Sequence, residues 1–354
     1  MNKLSVATLL SFATLSISAH AAESTALPGA VPAQFDLNHS APEANENASV
    51  PADVEKPKSE SSFLPIWGDE ARAQGYDIPE PFGINANYMN IRQNIDVKSI
   101  NFTGLAMGST ALPSSLFDIK VDKTRQRSIT RTIKLDAWIL PFWNVYGIVG
   151  KTRGSSVSNL SVDSDPNSQS TLFGKIIANV IHNMNKNGDL KDLNFKLKFK
   201  GTTYGAGTVL AGGYNDWFGL VDMNYTQTRF DILDGSIDAF TVSPRVGYRF
   251  TLPAAPAIHL GESHLSLWVG TMYQNVQQEF KGSLNDLQMP SELQSLMGLA
   301  NKKGDGRFDV KQRLESPWNM LVGANYELTR NFNVTTEIGF AERNSFFVGG
   351  EFRF

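Results

Sequence analysis

Cysteine is absent from the 354 residues, which excludes a disulfide framework, an iron–sulfur cluster, a cysteine nucleophile and any thiolate zinc site. Positive charge is not in surplus: 32 Lys and Arg stand against 35 Asp and Glu, a net charge of -3. With no domain-wide basic excess to neutralise phosphates, nucleic acid is not expected as a partner. Beyond the N-terminus no stretch is apolar enough to make a membrane helix. Histidine is scarce, with five in the chain. A mean hydropathy of -0.22 suits a soluble protein. It equally suits a membrane β-barrel, whose strands hide half their residues from lipid.

What is present begins with a leader. Lys3 supplies a positive charge, Leu4 to Ile17 is apolar and small, and Ala19-His20-Ala21 is an A-x-A cleavage site. That order predicts a secretory signal peptide over residues 1–21. Residues 22–81 then hold eight of the 16 prolines and are acidic, with few apolar groups to offset the entropy of ordering. A largely disordered periplasmic segment is expected there, and residues 82–354 are left near neutral. Within the segment, Phe63-Leu64-Pro65-Ile66-Trp67 and Ala71 to Tyr76 form an apolar island. A linker with one sticky patch is the favoured expectation, and docking onto the body the alternative.

From Phe82 onward the composition changes to alternation. Ile129, Arg131, Ile133, Leu135 and Ala137 alternate with Thr130, Thr132, Lys134, Asp136 and Trp138. Trp217 to Thr226, Phe240 to Phe250, Leu265 to Tyr273 and Trp318 to Leu328 repeat the pattern. Period-two patterning of this length is β structure with one apolar face. Three details favour lipid as the outer medium. Aromatics recur at strand ends, at Tyr88, Trp143, Trp217, Tyr225, Tyr248, Tyr273, Trp318 and Tyr326. Connections alternate between short turns, such as Tyr214-Asn215-Asp216, and long loops near 152–191 and 283–305. The chain also ends in an alternating aromatic strand, Phe346-Phe347-Val348-Gly349-Gly350-Glu351-Phe352-Arg353-Phe354.

That last strand, with Phe346, Val348, Phe352 and the terminal Phe354 on one face, resembles the assembly signal of Gram-negative outer-membrane β-barrel proteins. The resemblance implies an integral outer-membrane barrel, recognised by the barrel-assembly machinery and surrounded by outer-membrane lipid and lipopolysaccharide. The segment Leu135 to Gly147 also resembles a hairpin of poorly characterised proteins of this class, to which no activity attaches.

Both termini of such a barrel lie in the periplasm, so the strand number is even. Ten antiparallel strands are expected, near 82–98, 116–139, 143–152, 192–213, 216–232, 236–252, 264–282, 306–328, 331–342 and 345–354. Splitting the 95–127 region would make twelve. Several strands exceed the roughly 9–11 residues needed to cross, and the excess should project as a ribbon. Helical spacing over 170–188 and a capping-box spacing at Ser291 and Gln294 predict short helices in the two long loops. They are expected to cover the barrel mouth or each other; a hydrophobic lid over a pore is the alternative. Asp163 to Asn167 starts like a calcium loop, but Ser168 replaces the turn glycine and Gly174 the bidentate Glu. A polar surface loop is expected instead.

Chemistry in the lumen is limited by what faces it. Alternation places Lys134, Arg245, Arg249 and Arg353 inward, with Asp136, Asp222, Glu327, Glu337 and Glu351. Four bases and five acids in a narrow bore should pair, because isolated charges away from water are costly. His20 and His39 precede the barrel, His182 falls in a loop helix, and His259 and His264 flank a turn. No metal site, cofactor or catalytic pair is expected from them. Three readings remain open: a non-enzymatic structural or surface-interaction barrel with a charge-paired lumen, a small-solute or hydrophobic-compound channel, and a lipid-acting enzyme. The surface partner or solute is not identified by any motif.

Overall fold

The computed structural model describes residues 63–73, 78–254, 262–287 and 289–354. The expected signal peptide, residues 22–62 of the acidic segment, and His20, His39 and His259 lie outside the described residues.

Ten long strands make the wall: β1 (Phe82–Thr103), β4 (Asp118–Leu140), β5 (Trp143–Asp163), β6 (Leu193–Tyr214), β7 (Trp217–Phe230), β8 (Asp234–Leu252), β9 (Ser263–Ser283), β11 (Trp318–Thr329), β12 (Phe332–Phe340) and β13 (Arg343–Arg353). Each pairs antiparallel with its neighbour, and β1 pairs with both β13 and β4, which closes the ring. The closure runs from Gly83↔Arg353 to Gln93↔Arg343 on one side and from Phe82↔Ala137 to Ile95↔Thr124 on the other. No sheet edge is left in this ring, so every strand finds backbone partners on both sides. Short β2 (Ala106–Met107) and β3 (Thr110–Ala111) form a separate hairpin, so splitting the 95–127 region adds no wall strand.

Two of the expected strands differ. The segment 306–328 is not one strand, because β10 (Arg307–Leu314) ends before Pro317, which lacks the N–H a ladder needs. β10 instead bridges the upper parts of β9 and β1, above the shorter β11, β12 and β13. The strand expected at 143–152 runs on to Asp163, shortening the loop that follows.

The extra length of β5 carries no outward apolar alternation, because polarity inverts along the wall. In β6, Leu193, Phe195, Leu197 and Phe199 point inward and are buried, while Lys196, Lys198 and Lys200 point outward. A few residues further the polarity reverses: Thr203 faces inward, and Tyr204 and Leu210 face outward and exposed. β9 does the same, with Leu267 and Val269 outward near the short-turn end but Val276 and Phe280 inward beyond it. The inversion divides the barrel into a zone that is apolar outside and a ribbon that is apolar inside. A lipid jacket around the first and water around the second explains both.

Aromatic side chains mark the limits of the lipid zone. Trp217 and Tyr248 meet edge to face at 5.3 Å near the short turns, and Tyr273 and Trp318 do so at 5.2 Å at the other limit. The ribbon has its own core, in which Leu116, Val162, Leu190 and Phe280 are fully buried. Two loop helices contribute to it. The first, α2 (Leu172–Asn187), is capped by Thr171, whose Oγ1 accepts the Gly174 N–H at 3.0 Å, and ends at Gly188 with φ 98°. Its Ile177, Ala178 and Ile181 enter the core, whereas Leu172, Ile176 and Val180 stay exposed. The second, α3 (Ser291–Ala300), buries Leu293, Met297 and Ala300 at helical spacing. The expected capping box does not form, because Pro290 occupies the cap position and Ser291 is already helical.

The island before the barrel is docked rather than a plain linker. The short helix α1 (Gly68–Ala73) buries Ala71 against Ile78, and Ile66 donates its N–H to Ile139 O at 2.9 Å. Pro81 O accepts the Trp138 N–H, also at 2.9 Å, tying the chain to the base of β4.

Candidate functional site in the lumen

The inward side chains stack in layers from the short-turn end upward. In the lowest layer Arg353 Nη1 lies 3.0 Å from Asp136 Oδ1 and 2.5 Å from Glu351 Oε1. Asn85 and Asn144 donate to Asp136 at 3.0 and 2.8 Å, and Asn333 donates to Glu351 at 2.9 Å. Lys134 Nζ is 3.5 Å from Asp136 and 5.7 Å from the centre of the Tyr146 ring. Trp138 lies under the Arg353 guanidinium at 5.8 Å. Two cations and two anions thus share one buried cluster whose remaining acceptors are met by asparagine amides.

The next layer is built on Arg245, which grips Glu337 with Nε at 2.7 Å and Nη2 at 3.1 Å. Trp268 Nε1 donates to the same carboxylate at 2.8 Å. Tyr146 OH donates to Asp222 at 2.8 Å, and Asp222 is 3.9 Å from Arg245. Two glycines make room for these rings: a Cβ on Gly207 would lie 2.3 Å from Tyr146, and one on Gly323 would lie 2.3 Å from Trp268. A third group sits at the rim, where Arg249 meets Glu327 at 2.7 Å and His264 meets the same carboxylate at 3.1 Å. Glu327 is half-buried; the other eight charged residues expected inside are buried.

Above the Arg245 layer lies a cavity of about 230 Å³. Its wall carries a hydroxyl belt in which Thr130, Thr152, Thr203 and Thr228 are linked at 2.9, 2.6 and 2.8 Å. Higher still, Gln126 accepts from Gln93 at 3.2 Å and from Gln278 at 2.8 Å. Val276, Leu314, Ile95 and Ala239 form an apolar group at this end of the cavity, and the ribbon core lies beyond.

Strand parity points the charges inward but does not single out their neutral partners. Asn85, Asn144, Tyr146 and Trp268 stand on β1, β5 and β9, where alternation predicts no inward charge, and only Asn333 shares a strand with one, Glu337 on β12; each nevertheless has the parity of the inward face. Pairing across 92 residues, as for Arg245 and Glu337, has no signal in a single sequence. His264 is the second residue of β9, beside the turn it was expected to flank. His182 meets Asp163 at 3.0 Å near the far end of β5. Burial alone would raise the Asp163 carboxyl, but the Ser164 N–H and His182 outweigh it and hold it below the usual carboxylate range. Asp165 caps a 3-10 turn by accepting the Asn167 N–H at 2.9 Å. Among the described residues no serine hydroxyl bonds His182 or His264, and no group of three or more His, Asp or Glu is placed to hold a metal.

Phe346, Phe352 and Phe354 point outward and exposed, with Val348 half-buried among them. Phe82 and Phe354 exchange both backbone hydrogen bonds at 3.0 Å, so the terminal residue joins the closing seam.

No family model matches the chain, and no curated protein does. Among solved structures it is similar to the β domain of the Bordetella autotransporter BrkA, at 11% identity over 78% of this chain and 100% of that one, with a TM-score of 0.33. OprG from Pseudomonas aeruginosa has 12% identity, covering 78% and 98% of the two chains, with a TM-score of 0.28. The transport unit of AIDA-I from Escherichia coli has 10% identity, covering 77% and 90%, with a TM-score of 0.30. At such scores the likeness adds nothing to the strand pairing. A closed ring of ten antiparallel strands, apolar outside and charged within, is a transmembrane β-barrel of the outer-membrane type.

Proposed function

We propose that the protein is a non-enzymatic outer-membrane barrel, closed to solutes, that anchors a folded structure on the cell surface. Residues 1–21 direct export, residues 22–81 lie in the periplasm, and the short-turn end of the barrel faces the same side. The ribbon, α2 and α3 then stand outside the cell. The observation that carries this reading is the ribbon core, which fills the bore above the cavity with fully buried apolar side chains. An open pore would need a water path there, and the paired charges below add a second barrier. Phe346, Val348, Phe352 and Phe354 serve as the signal read by the barrel-assembly machinery. Proteoliposomes carrying the purified barrel should swell no faster than empty ones in small sugars. Swelling graded by sugar size would sink the closed reading.

The cavity of about 230 Å³ favours a second reading, slow passage or storage of a small neutral solute. Its threonine and glutamine walls offer neutral donors and acceptors. Uptake that changes when Arg245 or Glu337 is altered would support passage, and unchanged uptake would count against it.

A further inference from the structure

The outward face of the ribbon carries an unusual arrangement of charge. On β4, β5 and β6, Arg125, Arg127, Arg153, Lys196, Lys198 and Lys200 all point outward and are exposed. Register puts them side by side: Arg153 is directly opposite Lys200, Ser155 separates Arg127 from Lys198, and Val157 separates Arg125 from Lys196. With strands about 4.8 Å apart and same-face residues about 6.6 Å apart, the six share a patch roughly 10 by 14 Å. Like charges also face each other at Arg92↔Arg127 and, at the lower edge, Arg131↔Lys151. Directly opposed like charges destabilise a sheet.

Carboxylates relieve only the lower edge of the patch, where Asp231 meets Lys151 at 3.6 Å. Among the described residues only Lys200 of the six reaches an acid, Asp231 at 4.0 Å, and Asp122 lies at the upper rim. The other side of the ribbon differs. There Lys281 and Lys311 share Glu279 at 2.9 and 3.4 Å, Arg307 meets Asp234 at 2.7 Å, and Arg313 meets Asp96 at 3.4 Å. One face is neutralised internally and the other is left cationic.

Height in the membrane identifies what would neutralise it. On the same strands, Ile133, Leu135, Val149 and Tyr204 form the lipid face immediately below. Arg153 is four residues beyond Val149, about 13 Å along the strand. Cations there meet the headgroups of the lipids whose chains lie against the wall. We propose that this patch binds the phosphate groups of a phosphorylated glycolipid of the outer leaflet, its acyl chains lying along β4, β5 and β6. Arginine forks and clustered lysines suit phosphate oxygens, and the bound anion relieves the opposed charges. The proposal rests on the orientation given above, but not on whether the lumen is closed.

The test uses the full-length purified barrel in zwitterionic detergent, with lipid A as the probe. Bisphosphorylated lipid A should bind and raise the temperature at which the folded gel band is lost. Dephosphorylated lipid A, or inorganic phosphate at equal phosphate concentration, should do neither. The variant Lys196→Ser/Lys198→Ser/Lys200→Ser should bind bisphosphorylated lipid A about tenfold more weakly or worse. Without lipid it should unfold at the same or a higher temperature, because the repulsion is gone. A merely structural role would lower that temperature instead. Lys281→Ser/Lys311→Ser, on the neutralised face, should bind as the native chain does. If the triple variant fails to fold, Lys198→Ser alone is titrated and should still bind more weakly. Equal binding by native and altered patches, or by lipid A with and without phosphate, would overturn the proposal. So would a short oligonucleotide that stabilises the barrel as well as lipid A does. Orientation is read separately: Asn194→Cys should react with a membrane-impermeant maleimide in intact cells. No labelling overturns the orientation, whereas labelling without a phosphate preference overturns the patch alone.

Discussion

Glu337 is buried and serves three donors: two from Arg245 and the indole N–H of Trp268. Removing its carboxylate leaves Arg245 with Asp222 at 3.9 Å as its nearest anion. Breaking a buried pair from one side costs about 3–5 kcal/mol, because the remaining charge is stranded. Glu337→Ala should therefore lower the denaturant midpoint strongly, while Arg245→Met/Glu337→Leu recovers part of the loss. A single variant that unfolds like the native chain would remove the pair from the list of stabilising contacts. Gly323 makes a second residue-scale case, since any side chain there meets the Trp268 ring. Gly323→Val should cost about 1–3 kcal/mol through overpacking, read as a lower midpoint and altered tryptophan fluorescence. At this scale the charges were legible and their geometry was not. Strand parity points Arg245 and Glu337 inward. Nothing local says that β8 and β12 bring them together, or that Trp268, turned inward by the parity of Leu267 and Val269, meets the same carboxylate.

Helix α2 was legible as an element because its apolar positions recur at helical spacing, and it ends where a glycine permits a left-handed residue. Gly188→Ala forces a Cβ into φ 98° and should cost about 1 kcal/mol. Proteolysis should then cut the 164–192 loop faster while the folded gel band is unchanged; equal cutting rates would mean the cap is dispensable. The closing strand makes the opposite point about termini. Phe354 has its backbone in the seam with β1 and its ring 6.1 Å from that of Phe82. Deleting Phe354 should reduce the fraction of barrel assembled in cells, measured by the heat-modifiable band, far more than it lowers the stability of barrel already folded. Equal losses would assign the residue to stability rather than to assembly. Strand lengths were less legible than strand number. Ten wall segments could be counted from the alternation, but in upper β5 and β6 the apolar residues change faces, and a pattern tuned to lipid outside misses them. β10 was hidden for another reason, since only Pro317 marks the break from β11.

Across the whole molecule two solvents act on one wall. Below, the outer face meets lipid and the inner face pairs its charges; above, the inner face is the apolar core and the outer face carries lysine and arginine. The absence of long apolar runs and the moderate mean hydropathy follow from this inversion, because each strand averages over both zones. On the closed reading proposed above, the bore is blocked twice, by the paired charges around Asp136 and Glu337 and by the ribbon core around Phe280 and Ile181. Conductance of the purified barrel in a planar lipid bilayer tests this most directly. A silent bilayer across moderate voltages, with insertion verified by recovering folded protein from the membrane, is the expected result. Reproducible single-channel steps would contradict the closed lumen.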